Sequence, residues 1–109
     1  MRGEPNITIL AETFRLLGDP TRLKVMCACL EKPMPVAEIA RSIDASPSLV
    51  SHHLRLLRAA RLVRGERRNR QVFYGADDDH VRRMLTDMLA HADEVDVSGD
   101  DHGEAAPRI

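Results

Sequence analysis

The sequence predicts a mainly α-helical fold of five helices with one β-hairpin, a winged helix-turn-helix held as a homodimer through its terminal helices. Three observations predict it. Two short amphipathic helices, Val36–Ile43 and Ser46–Ala60, are separated only by Asp44-Ala45. An arginine-rich hairpin, with Glu66-Arg67-Arg68-Asn69-Arg70 at its tip, follows directly. A final helix, from about Asp78 to Asp93, carries metal-ligand residue types at both ends.

Residues 1–6 read as a flexible N-terminus. Ile7, Leu10, Phe14 and Leu17 then recur at helical spacing and mark a first helix, which Gly18 ends. Asp19-Pro20 restarts a helix, with Asp as N-cap and Pro at the first helical position. This second helix reaches about Leu30, with Leu23, Met26, Cys27 and Leu30 expected inside. Lys32-Pro33-Met34-Pro35 breaks the chain. In the third helix Val36, Ile39, Ala40 and Ile43 face inward. Ser46-Pro47 repeats the cap-then-proline signal and opens the fourth, with Leu49, Val50, Leu54 and Leu57 assigned to its core side. Leu62–Gly65 and Gln71–Tyr74 are the strands, and Asn69 is the turn residue. The domain spans residues 7–94, and residues 95–109, rich in Asp, Gly and Ala, read as a disordered acidic tail.

The formal net charge of −1 conceals a strong segregation. Residues 41–75 hold eight arginines against Asp44 and Glu66, whereas residues 76–109 hold three against ten acids. A compact basic segment inside a near-neutral chain is the footprint of a polyanion partner. With aromatics at only 3% of the chain, an aliphatic core this small gains from oligomerisation. No apolar run is long enough to span a bilayer and no secretory signal is visible, so a cytoplasmic location with no membrane partner is expected. Cys27 and Cys29 are then reduced thiols. On one helix they point about 200° apart, a poor geometry for a mutual disulfide. No nucleophile is paired with a base, and an enzyme is not expected.

The basic segment locates the nucleic-acid face. Ser46, Ser48, Ser51, His52 and Arg55 lie on the early polar positions of the fourth helix, where short donors suit phosphates and base edges in a major groove. Arg67, Arg68 and Arg70 on the hairpin tip would reach phosphates or the flanking minor groove. His53 is open to two readings, a packed structural histidine or a further DNA contact.

The last helix locates the metal. Asp78 and His80 stand at its start, His91 and Glu94 at its end. At about 1.5 Å per residue, the step from His80 to His91 covers roughly 16 Å, while at about 100° per residue it returns to nearly the same face. Zinc–nitrogen bonds are only about 2.0–2.1 Å long, so one ion cannot bridge both pairs of a single helix. Two antiparallel copies would instead set Asp78 and His80 of one against His91 and Glu94 of the other, making two equivalent four-ligand sites. Two imidazoles with two carboxylates suit Zn(II) and admit Co(II). Ni(II) would want more ligands, for which His102 is the candidate. Asp77 and Asp79 are expected simply to cap the helix and complement its dipole.

The run LLGDPTRLKVM, then VAEIARSIDASPSLVSHHLRLLRAARLV, then a basic hairpin ending VFYGADDDHV, closely resembles the ArsR/SmtB family of bacterial metal-responsive repressors over about residues 8–94. The resemblance implies a homodimer that represses an operon and leaves its operator DNA when metal binds. It implies a metal site on Asp78, His80, His91 and Glu94, in the pattern of the zinc-sensing members. It also implies an allosteric link from His91 to the backbone carbonyl of Arg61. The chain departs from the soft-metal members, having Pro35 where their cysteine would lie. Other relatives sense oxidants or sulfur species through a thiol matching Cys27, so a thiol-based redox, sulfur-species or metalloid-responsive regulator using Cys27 and Cys29 is the alternative. Its usual partner cysteine on the last helix is missing, and the expectation is that Cys27 fills the core while Cys29 is partly exposed.

Overall fold

A computed structural model describes the backbone of residues 3–102 and the side chains of residues 6–95. The order is α1 (Gly3–Leu17), α2 (Pro20–Ala28), β1 (Met34–Pro35), α3 (Val36–Ile43), α4 (Pro47–Ala59), β2 (Val63–Arg68), β3 (Gln71–Ala76) and α5 (Asp79–His102). This is the five-helix winged helix-turn-helix expected, with one strand more than the hairpin.

The caps act where the sequence places them. Asp19 accepts the backbone N–H groups of Thr21 (2.9 Å) and Arg22 (3.3 Å), and Ser46 Oγ accepts that of Leu49 at 3.1 Å. Each is followed by proline, which loses no hydrogen bond in a first helical turn. The turn between α3 and α4 depends on Asp44, which takes the left-handed conformation (φ 58°, ψ 51°) so that Ala45 N–H bonds back to the Ala40 carbonyl at 3.0 Å. A short polar side chain tolerates that conformation. Asn69 does the same at the wing tip, with φ 59°.

Val25, Met26, Cys29, Leu30, Ile39, Ala40, Val50, Leu54, Leu57 and Val63 pack a single core, which Leu17 and Leu85 join from the terminal helices. The sheet is antiparallel, in the order β1-β3-β2. The register pairs Met34 with Tyr74, and Tyr74 in turn with Gly65.

Several boundaries differ from expectation. Helix α1 begins at Gly3 rather than Ile7, because Pro5 falls within its first turn and interrupts nothing. Met34–Pro35, expected only to break the chain, forms an edge strand on β3, a position that tolerates a residue without an N–H. The hairpin strands run on to Arg68 and Ala76, leaving two residues in the turn. Helix α5 continues through the segment expected to be a disordered tail as far as His102, since extending an existing helix is far easier than nucleating one. The expectation for residues 103–109 lies outside the described residues.

Three side chains also depart from expectation. Cys29 is fully buried and Cys27 half-exposed, because α2 stops at Ala28 and its inner stripe runs through Val25, Met26 and Cys29. Leu49, assigned to the core, is 42% exposed; His53 occupies the inner stripe with Val50, Leu54 and Leu57.

Candidate nucleic-acid interface and metal centre

The first turns of α4 present Ser48, His52 and Arg55 to solvent with Ser51 half-buried, while the exposed Ser46 spends its hydroxyl on the cap. His53 does not join them. It is 5% exposed, and its Nδ1 accepts a hydrogen bond from Arg22 Nε at 3.3 Å. Burial, reinforced by the Arg22 guanidinium, holds its pKa below the ordinary 6.5. Of the two readings of His53, the packed histidine is the one observed.

The wing sorts its arginines by face. Cross-strand partners share a face, so Gly65 and Arg67 lie with Tyr74 and Val72, whereas Arg64, Glu66 and Arg68 lie with Gly75, Phe73 and Gln71. Arg68 is held on that second face by Glu66 at 3.4 Å and stacks over the Phe73 ring at 4.7 Å. Arg64 donates to the Asp77 carbonyl at 3.2 Å. Arg67 and Arg70 are exposed and make no hydrogen bond or ion pair among the described residues. Between α4 and the wing, Ser51, Leu54, Arg55, Arg58 and Tyr74 line a cleft of about 180 Å³. Arg58 and Tyr74 join the cleft in addition to the DNA-facing residues expected from the sequence. Arg58 follows Arg55 and Ser51 at helical spacing, a signal that was available, but the position of Tyr74 needs the sheet.

On α5, Asp78 stands just before the first turn, and its Oδ1 accepts the Val81 N–H at 2.9 Å. The capping role expected of Asp77 and Asp79 thus falls to Asp78, while Asp79 pairs with Arg82. His80 Nδ1 lies 4.0 Å from Asp78 Oδ1, and the His80 side chain is 94% exposed. His91 and Glu94 are exposed near the other end of the same helix. Among the described residues, no three metal-binding side chains of one protomer converge. The four donors are two separated pairs, each offering a carboxylate and an imidazole to a tetrahedral ion that a second pair would complete. Such a donor set fits zinc. His102 lies at the end of α5, and its side chain is outside the described residues.

The remaining candidates are less poised. Burial pushes the Cys29 thiol up to about 11 and raises Cys27 as well. A reactive sensor cysteine needs the opposite shift. Arg61, just beyond α4, takes a left-handed conformation (φ 62°) that closes the helix, with its N–H on the Arg58 carbonyl at 2.9 Å. No helix among the described residues is long and apolar enough to cross a membrane.

With this geometry in hand, the similarities to known proteins are specific. Residues 19–64 match the arsR family of bacterial regulatory proteins. A protein of Synechocystis sp. described as a transcriptional repressor SmtB homolog is 39% identical over 87 residues, 80% of this chain and 66% of that one, so the chain spans just under two thirds of its length. The solved structure of the cadmium metal-sensor CMTR from Mycobacterium tuberculosis is 34% identical, with a TM-score of 0.65 over 72% of this chain and 82% of that one. A homodimeric winged helix-turn-helix DNA-binding domain from Mycobacterium bovis shares the fold at a TM-score of 0.76 over 86% of this chain and 92% of that one, with 21% identity.

Proposed function

As a member of the ArsR family of bacterial regulatory proteins, this chain is a DNA-binding regulator rather than an enzyme, and we propose that it is a homodimeric repressor released from its operator by Zn(II), with Co(II) or Ni(II) as substitutes. The observation that carries the metal assignment is the placement of Asp78/His80 and His91/Glu94 as two half-sites on one helix. The dimer is supported by the apolar side chains left exposed on the terminal helices: Ile7, Leu10 and Phe14 on α1, and Met88, Leu89 and Val95 on α5. Burying that surface against a second copy brings the α5 helices together.

In this reading α4 and the wing bind operator DNA through Ser48, Ser51, His52, Arg55, Arg67 and Arg70, with Ser46 holding the start of α4 and Arg68 held back by Glu66. A bound Zn(II) would supply a fixed tetrahedral tie between antiparallel α5 helices. His91 has two ring nitrogens, one for ligation and one to donate a hydrogen bond, as metal-bound imidazoles usually do. The acceptor assigned by family resemblance is the Arg61 carbonyl at the end of α4. That bond would make recognition-helix orientation depend on the state of α5. Couplings of about 1–3 kcal/mol, or roughly 5–150-fold in affinity, are typical of such links, and the same factor must appear as weaker metal binding on DNA.

Operator binding titrated with Zn(II), Co(II), Ni(II) and Cd(II) tests this reading. Wild type should dissociate with Zn(II), and His91→Ala should stay bound at every metal concentration that releases wild type. Equal release of both proteins would remove His91 from the sensing site.

A further inference from the structure

The cleft between α4 and the wing has a chemistry of its own. Its five lining residues supply two guanidinium groups from Arg55 and Arg58, two hydroxyls from Ser51 and Tyr74, and an apolar floor from Leu54. No carboxylate lines it. The groove on the opposite face of the wing differs, for there Arg64 and Arg82 are outnumbered by Glu31, Glu66 and Asp77–Asp79. A polyanion is attracted to the first and repelled by the second.

The cleft is also built rather than incidental. Ser51, Arg55 and Arg58 follow one another at i, i+4 and i+7, so they form one stripe of α4. Among the described residues, Arg55, Arg58 and the Tyr74 hydroxyl have no hydrogen-bond or ion-pair partner, whereas Arg22, Arg64, Arg68 and Arg82 are all engaged. Tyr74 sits on the central strand β3, and its ring owes its seat to Gly65. A Cβ at Gly65 would lie 2.9 Å from Tyr74 Cε1 and 2.9 Å from Val72 Cγ1. The neighbouring strand has given up its side chain where the ring crosses it.

We propose that this cleft is a phosphodiester site, in which Tyr74 and Arg58 join Ser51 and Arg55 to hold one backbone phosphate of the bound duplex between recognition helix and wing. The proposal rests on the DNA-binding reading above and adds a defined contact to it. A phosphodiester presents two anionic oxygens, which match charge-assisted donors from two arginines and neutral donors from two hydroxyls. Because Tyr74 pairs with Met34 on one side and Gly65 on the other, a phosphate held there would couple the whole three-stranded sheet to α4.

The test uses the full chain and a duplex that it selects from a random-sequence pool. Single neutral methylphosphonates are scanned along that duplex against wild type, Tyr74→Phe and Arg58→Ala. One position should weaken wild type about three- to tenfold, the worth of a net hydrogen bond, and weaken both variants by measurably less, because each has already lost one donor to that phosphate. Arg58→Ala should also lower the salt slope by about 1. Losses that add independently at every position, or an unaltered slope, would overturn the site. Tyr74 is the chain's single tyrosine, so 3-fluorotyrosine labelling gives one resonance that should shift with the duplex. A saturable shift with inorganic phosphate at matched ionic strength, and none with the duplex, would assign the cleft to a free anion instead and overturn the proposal. If wild type retains no duplex from the pool, the DNA-binding reading has failed and this site falls with it.

Discussion

Arg22 Nε donates to His53 Nδ1 across 3.3 Å, linking α2 to the inner face of α4. The same guanidinium donates to the Leu16 carbonyl at 2.9 Å and lies 3.8 Å from the Asp19 carboxylate. One arginine therefore ties the end of α1, the cap of α2 and the recognition helix together. His53→Leu would leave Arg22 Nε without its acceptor and should cost about 1–3 kcal/mol, while His53→Gln, which keeps an acceptor, should cost less. Urea denaturation at pH 7 measures both. Equal stability of His53→Leu and wild type would show that the bond contributes nothing.

The same pair sets a pH dependence. The folded protein binds a proton on His53 less readily than the unfolded chain does, because burial and the charges of Arg22 and His52 oppose it more than Asp19 favours it. The stabilisation is therefore complete above the unfolded value of 6.5 and is lost as pH falls through the lower folded value. Asp19, whose carboxyl is held low chiefly by the Arg22 N–H, responds only in a more acidic range. Wild type should lose more stability than His53→Gln between pH 7 and 5, and parallel curves would contradict this.

The wing arginines should not be equivalent. Arg67 and Arg70 are free to meet phosphates, whereas Arg68 is occupied by Glu66 and Phe73. Arg67→Ala and Arg70→Ala should each weaken operator binding and reduce its salt slope by about 1, and Arg68→Ala should do markedly less. A fluorescence-anisotropy salt series checks the ranking, and an equal or larger effect of Arg68→Ala would invert it.

Asp78 caps α5 through Oδ1 and is also a proposed ligand, and two substitutions separate the roles. Asp78→Asn keeps a capping oxygen and removes the charge, so it should fold like wild type while binding Zn(II) more weakly. Asp78→Ala should show the same metal defect plus a loss of about 0.5–2 kcal/mol in stability. Calorimetric zinc titration with thermal melts distinguishes the cases, and wild-type zinc affinity in both variants would remove Asp78 from the site.

The trans arrangement is testable by complementation. A heterodimer of an Asp78→Ala/His80→Ala chain with a His91→Ala/Glu94→Ala chain should retain one intact site, because one pairing collects all four substitutions and the other none. Zinc stoichiometry should fall from two per dimer to one. Complete loss of high-affinity metal would rule out the antiparallel geometry.

The thiols should be sluggish and unequal. At pH 8 a disulfide reagent should modify the half-exposed Cys27 slowly and Cys29 only at the rate of unfolding, given its raised pKa of about 11. Replacing both with serine should leave metal-dependent release of DNA intact. Loss of that response would revive the thiol-based alternative.

The chain's local chemistry was legible from its residues alone. Asp19-Pro20 and Ser46-Pro47 announce helix starts because a side-chain acceptor and a donor-free residue satisfy the same few backbone groups wherever they occur. Asn69 announces a turn because it tolerates a left-handed conformation. The two metal-ligand pairs of α5 could be placed on one face because helical geometry depends only on spacing. What the sequence left open were questions of neighbours. Whether His53 faces DNA or the core was decided by Arg22, which lies 31 positions away in the chain. The burial of Cys29 instead of Cys27 followed from where α2 stops against the core. The strand at Met34–Pro35 exists only because β3 offers it an edge. The separation of Arg67 from Arg68, and the seat of Tyr74 over Gly65, came from cross-strand register. Caps, turns and periodicity are properties of a few consecutive residues, whereas burial, pairing and face depend on which distant segment arrives to exclude water or supply a partner.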